Sequence, residues 1–174
     1  PEATRRPAEA FAAGVRSVIY NGATYRQGVY FRPEQPLDAL YDTPLQKITS
    51  YRQIIEDVRR SQEQGLKVLF LMHFGGISSP VIPDFFDSLV QDHKRDLVKI
   101  GRDGLFATYW GNPNPDWSYG RGLLDQLEGI LETLHCDGIA MDRCDRLDNF
   151  DGDNLFDLAH CDGSATPYKH GGEY

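Results

Sequence analysis

The chain has 174 residues, of which 40% are hydrophobic and 25% charged, enough for one domain with a real core and too apolar for a disordered chain. Its formal net charge of −8 and pI of about 5.0 repel a phosphate backbone, which argues against nucleic-acid binding. No apolar run reaches the ~18 residues a membrane span needs.

Three cysteines, Cys136, Cys144 and Cys161, form no CxxC pair, so neither a disulfide framework nor a zinc site is expected. The first residue is Pro1 rather than Met, and no charged-then-apolar leader follows it, as in a processed or partial chain.

Residues 1–14 are polar and proline-bounded and read as an N-terminal arm or the start of a peripheral helix. Then VRSVIYNGA is β-branched and aromatic and stops at Asn21-Gly22, a strand with a turn signal. YRQGVYF is a second short strand or an extension of the first, and the proline-rich RPEQPLDALYDTPLQ is a surface loop. Ser50 is placed to cap a helix in which Ile54, Ile55 and Val58 recur at helical spacing, and Gly65 ends it. LKVLFLMHF, residues 66–74, is almost wholly apolar, as in a parallel strand covered on both faces.

Residues 84–100 carry helical spacing, with a helix expected over at least the first part. Asp103-Gly104 turns into LFATYW, a third strand, and GNPNPDW is a loop. Ser118 and Tyr119 open a helix whose Leu123, Leu124, Leu127, Ile130, Leu131 and Leu134 make one broad apolar face. His135 ends it, and CDGIAMD is the fourth strand.

Residues 146–174 are an acidic, glycine-rich loop or tail. Residues 15–145 thus alternate helix and strand in βα units. The expected fold is a partial (β/α)8 TIM-type barrel with about four parallel strands, the alternative being an open parallel α/β sheet. No GxGxxG or Walker loop follows a strand, which weakens nucleotide binding.

In both architectures sites form at the C-terminal ends of the strands. The first strand delivers Tyr20 and Asn21 there, the second His73 and Gly75-Gly76, the third Tyr109, Trp110 and Asn112, and the fourth Asp142, Arg143 and Asp145. Such walls suit sugars, whose hydroxyls take polar hydrogen bonds while their C–H faces stack on rings. The NPNPDW loop favours Trp110 as an exposed platform, and Trp117 as a packing residue.

The run NPNPDWSYGRGLLDQLEGILETLHCDGIAMDR, residues 112–143, is similar to a stretch of barrel glycoside hydrolases of the α-galactosidase and α-glucosidase clan. There an Asn-Pro and an aromatic precede a helix that leads to a D-G-[apolar]-x-x-D strand. DHKRDLVKIGRDGLFATYW resembles the approach to the third strand of those enzymes, and GLKVLFLMHFGG their second helix-to-strand step. The resemblance covers about residues 50–145.

It implies hydrolysis of a glycosidic bond in an oligo- or polysaccharide, with Asp142 as nucleophile or principal site carboxylate. His73, Tyr109, Trp110, Asn112, Arg143 and Asp145 would then line the substrate site. The general acid/base would come from a later strand, in the remaining half of the barrel, on this chain or another. The W-x-x-D-M-N-E and K-x-D signatures of the best-known members are absent. A carbohydrate role slightly favours an extracellular or cell-surface location.

Each of these residues also has a structural reading. Asp142 could cap a strand end or pair with Arg143 or Arg16, His73 could be a satisfied, partly buried histidine, and Asp137 reads as a turn residue. No cofactor or metal is expected, and the acidic tract reads first as a solvated loop. A calcium ion near Asp148–Asp153 is a secondary reading, because aligning Gly152 to the EF-hand glycine puts Leu147 and Leu158 where carboxylates are required.

Two functional alternatives stand beside the glycosidase. One is a non-catalytic, barrel-derived structural or carbohydrate-binding module, for example in a surface assembly. The other is a metal-dependent hydrolase using His73, Asp142 and Asp145.

Overall fold

The computed structural model describes residues 6–21, 26–42, 48–91, 95–103 and 106–142. In chain order these give α1 (Pro7–Ala12), β1 (Ser17–Tyr20), β2 (Tyr41–Asp42), β3 (Ile48–Thr49) and α2 (Tyr51–Glu63). β4 (Lys67–His73), β5 (Gly76–Ser78), β6 (Lys99–Asp103), β7 (Phe106–Trp110), α3 (Ser118–Thr133) and β8 (Gly138–Asp142) follow. The chain falls into two compact units. One holds Tyr30–Met72 and Asp125–Ala140 with the N-terminal segment, and the other holds Arg26–Val29, His73–Leu124 and the residues from Met141 onward.

In the first unit the three-stranded sheet runs β1-β4-β8. β1 and β4 pair in parallel, Ser17 opposite Lys67 and Tyr20 opposite Phe70. The Asp137 N–H donates to the Val68 carbonyl at 2.8 Å, which brings the start of β8 to the start of β4 and makes that pair parallel too.

α2 forms where its sequence says it should. The Ser50 hydroxyl accepts from the Gln53 N–H at 3.2 Å, and Tyr51, Ile54, Val58 and Ser61 recur on one buried stripe. Gly65 closes the helix with φ +84, a left-handed turn open to a residue without a Cβ. α3 ends at Thr133, and His135, two residues on, takes the same left-handed region at φ 57.

β4 alternates strictly: Val68, Phe70 and Met72 are fully buried, whereas Leu69, Leu71 and His73 are half-buried. Ile19, opposite Leu69, is 48% exposed. The continuous apolar run therefore buries one face completely and leaves the other partly open, instead of covering both. α3 likewise buries only part of its leucine face. Leu123, Ile130 and Leu134 are buried, but Leu124 is 51% and Leu131 41% exposed.

Loop 30–32 is pinned to this unit by backbone donors. Gln126 Oε1, buried on α3, accepts from the Tyr30 and Phe31 N–H groups, and the Tyr51 hydroxyl accepts from the Arg32 N–H at 2.7 Å. The YRQGVYF segment forms no strand over its described residues 26–31. β2, within the expected surface loop, pairs with β3, just beyond it, in a two-residue antiparallel ladder.

The second unit departs from the expected fold. β7, taken from sequence as a third parallel strand, is the centre of an antiparallel sheet of order β5-β7-β6. Three strands, not four, therefore make up the parallel sheet among the described residues. The register places Asp103 opposite Phe106, so the Asp-Gly signal marks a hairpin rather than a crossover.

Nor does the first part of residues 84–100 form an α-helix. Two short 3-10 turns, Ser79–Asp84 and Phe86–Ser88, meet at Phe85, whose φ of −135 breaks any helix. Beyond Ser88 the backbone is drawn into ladder bonds instead, Val90 N–H to the Trp110 carbonyl and Trp110 N–H to the Val98 carbonyl, both at 2.9 Å. Strand pairing with residues 20 positions on outweighs the helical spacing.

Candidate functional site

β4 and β8 are adjacent and parallel, so their last residues, His73 and Asp142, stand at the same end of the sheet. This is the C-terminal end, where parallel α/β folds place their chemistry. Tyr20 ends β1 at that same end, with its ring stacked on Phe70 at a centroid distance of 6.2 Å. Burial, then the nearby Asp57 and Cys136, pushes the Tyr20 hydroxyl well above the ordinary tyrosine range.

Beyond His73 the chain turns through Phe74 and Gly75 into β5, and Tyr119 fixes that turn. Tyr119 is fully buried and its hydroxyl donates to the Phe74 carbonyl at 3.1 Å. Its ring meets Phe85 edge-on at 5.3 Å. Sequence reasoning placed Tyr119 only as a helix opener. Its polar partner lies 45 residues away and leaves no local signal.

Trp110 does not form an exposed platform. It is 3% exposed, and its indole lies so close to Gly75 that a Cβ there would fall 2.0 Å from Cζ3. Gly75 is therefore needed for close approach, and Trp110 forms a wall under the β4–β5 turn. Asn112 is also buried, at 5% exposure. Its Oδ1 accepts from the Asn114 N–H at 3.0 Å, and its own N–H donates to the Ser88 carbonyl at 2.7 Å. It shapes the NPNPDW loop from within. Tyr109, half-buried, sits opposite Ile77 and Lys99 in the antiparallel sheet. Trp117 is half-buried, in keeping with a packing role.

Two carboxylates hold the scaffold. Asp87 accepts from the Ser118 N–H at 3.2 Å, from the Ser118 hydroxyl, and from the Ser88 hydroxyl at 3.0 Å. Ser88 Oγ in turn accepts from the Tyr119 N–H at 2.9 Å. The start of α3 is thus capped from 31 residues upstream. Partial burial works to raise the Asp87 carboxyl, but hydrogen bonds from Ser118 and Ser88 and the charge of Arg121 hold it below the usual carboxylate range.

Asp137, read from sequence as a turn residue, accepts from Lys67 Nζ at 2.8 Å and from Gln62 Nε2 and the Val68 N–H at 2.9 Å each. Partial burial is again outweighed by these bonds, so its carboxyl lies below the ordinary range. Cys136 is a buried free thiol, pushed up to about 12 by burial and by the charge of Asp137.

Arg143 and Asp145, the calcium reading at Asp148–Asp153 and the cysteines Cys144 and Cys161 lie outside the described residues. Among the described residues no three His, Cys, Asp or Glu side chains gather to hold a metal ion, and no helix is long and apolar enough to cross a membrane.

No family model and no curated protein matches the sequence. Solved structures do resemble the fold. A cycloisomaltooligosaccharide glucanotransferase from Paenibacillus sp., complexed with cycloisomaltoheptaose, aligns with a TM-score of 0.64 at 13% identity. The alignment covers 79% of this chain and 21% of that one. A noncanonic maltogenic α-amylase from Thermotoga neapolitana aligns with a TM-score of 0.53 at 14% identity, over 80% of this chain and 33% of that one. The chain thus spans between a fifth and a third of the structures it resembles. What it shares with these carbohydrate-active enzymes is a mixed α/β fold.

Proposed function

We propose that the chain is part of a carbohydrate-active (β/α) barrel that cleaves a glycosidic bond, with Asp142 as its nucleophile or principal carboxylate. The observation that carries this reading is the placement of His73 and Asp142 at the same C-terminal end of adjacent parallel strands. The fold likeness to two enzymes named for sugar chemistry supports it. His73 and Tyr109, with Arg143 and Asp145, would bind substrate hydroxyls and ring faces. Trp110 and Asn112 would hold the wall behind them rather than touch the sugar.

The half-open sheet face supports the barrel. Ile19, Leu69 and Leu71 are apolar and incompletely buried, and β1 and β8 are both sheet edges. Further parallel strands would close the sheet, cover that face and bring the general acid.

Burial of Trp110 and Asn112 also favours a second reading, a barrel-derived module that binds carbohydrate without cleaving it. One experiment separates the two. The full-length protein and its Asp142→Asn variant are assayed on oligosaccharides and aryl glycosides, with binding followed by calorimetry. The glycosidase reading expects cleavage that drops by at least a thousandfold in the variant, in line with losing a reacting group. Cleavage left intact in Asp142→Asn would sink it, and binding without cleavage in both proteins would establish the module.

A further inference from the structure

The geometry points to Asp137 as a positioning residue: its carboxylate locks the level at which β8 meets β4, and thereby where along the sheet Asp142 comes to stand. Asp137 and Val68 hold each other twice. The Asp137 N–H donates to the Val68 carbonyl at 2.8 Å, and the Val68 N–H donates back to Asp137 Oδ2 at 2.9 Å. A one-residue slip of β8 would break both bonds together.

Gln62 adds the third element. Its Nε2 lies 2.9 Å from both Asp137 Oδ2 and the His135 carbonyl, so the end of α2 grips the turn that feeds β8. Lys67 Nζ reaches Oδ1 at 2.8 Å, while the Lys67 N–H donates to the Arg16 carbonyl of the segment entering β1. One side chain thus ties together the last turn of α2, the start of β4 and the start of β8. The Asp137 side chain is only 18% exposed.

An ordinary turn aspartate bonds within its own turn. The side-chain partners of Asp137 lie 69 to 75 residues away in the chain. The charged and titratable groups around it are few. Lys67 is the cation that faces it, the Cys136 thiol beside it is held neutral by burial, and His135, whose carbonyl shares the Gln62 amide, is the neighbouring imidazole. A carboxylate accepts all three donors, whereas a protonated acid turns one oxygen into a donor and loses the attraction of Lys67. The lock is therefore closed above the ordinary carboxylate pKa of 3.8 and opens as the pH falls through the lower value of the folded protein.

The lock rests on these bonds alone, and its catalytic consequence rests on the reading of Asp142 given above. Hydrogen exchange on the full-length protein tests it, comparing wild type with Asp137→Ala, Asp137→Asn and Lys67→Met. Amides of Gly138–Asp142 should exchange about ten- to a hundredfold faster in Asp137→Ala, the cost of unmaking charge-assisted hydrogen bonds, with a smaller gain in Lys67→Met and little change in α3. After correction for intrinsic chemistry, wild-type β8 should lose protection between pH 6 and pH 3, and Asp137→Asn should not.

Unchanged β8 exchange in the variants, or equal acceleration at every amide, would overturn the proposal. If Asp137→Ala does not fold, Lys67→Met and the wild-type pH series decide. A protein that shows the β8 effect but cleaves no glycoside refutes only the glycosidase reading.

Discussion

Gln126 carries more of the first unit's stability than its type would suggest. It lies on α3 at 6% exposure, and its Oε1 is the acceptor for two backbone N–H groups, those of Tyr30 and Phe31. Those residues are themselves 1% and 4% exposed. Gln126→Leu keeps the approximate volume and helix propensity but removes the acceptor. Each buried N–H left without a partner costs about 1–3 kcal/mol, and the leucine regains about 1 kcal/mol of apolar burial.

The expected net loss is therefore about 1–5 kcal/mol, a fall in Tm of about 2–20 °C for a chain of this size. Urea unfolding followed by far-UV circular dichroism measures it, with the m-value expected to stay constant. Gln126→Glu keeps an acceptor oxygen and should lose less than the leucine variant. The reasoning fails if Gln126→Leu unfolds within about 0.5 kcal/mol of wild type, because the two N–H groups would then not depend on Gln126.

Two further outcomes follow from the site. Gly75→Ala forces the Trp110 indole to move, since the new methyl would meet Cζ3 at 2.0 Å and Cε3 at 2.2 Å; it should cost about 1–3 kcal/mol and change the tryptophan emission, and an unchanged spectrum would show the packing to be looser than described. Asp87, whose folded pKa is depressed, stabilises the start of α3 fully above its ordinary value of 3.8 and loses that contribution as the pH falls through the folded value. Asp87→Ala should cost about 1 kcal/mol at pH 7, the worth of a helix cap, and flatten the stability profile below pH 4; equal acid slopes in the two proteins would contradict the capping role.

The elements that could be read from the chain are those specified by their own residues. Ser50, the Ile54–Val58 spacing and Gly65 define α2 locally, and the apolar run 66–74 and CDGIAMD define β4 and β8 as strands. Asp142 could be placed at a strand end for the same reason. Partnership was not legible. LFATYW has the composition of a strand whether its neighbours run parallel or antiparallel, and only the ladder to β5 and β6 decides. Residues 84–100 carry helical spacing that the backbone at Phe85 and the bonds to Trp110 override.

The scaffold under the candidate site was hidden for the same reason. Tyr119 to Phe74, Gln126 to Tyr30, Asp87 to Ser118 and Asp137 to Val68 join residues 31 to 96 positions apart. A hydrogen bond across that separation leaves no periodicity to read. By itself, then, the sequence determined the bounds of α2, the strand character of β1, β4, β7 and β8 and the residues that close those strands, because propensity, caps and apolar periods act over a few residues. Only the tertiary structure decided that Trp110 and Asn112 are buried supports, that β7 runs antiparallel, and that Asp137 is a clamp rather than a turn. Each of these depends on what the rest of the chain brings alongside.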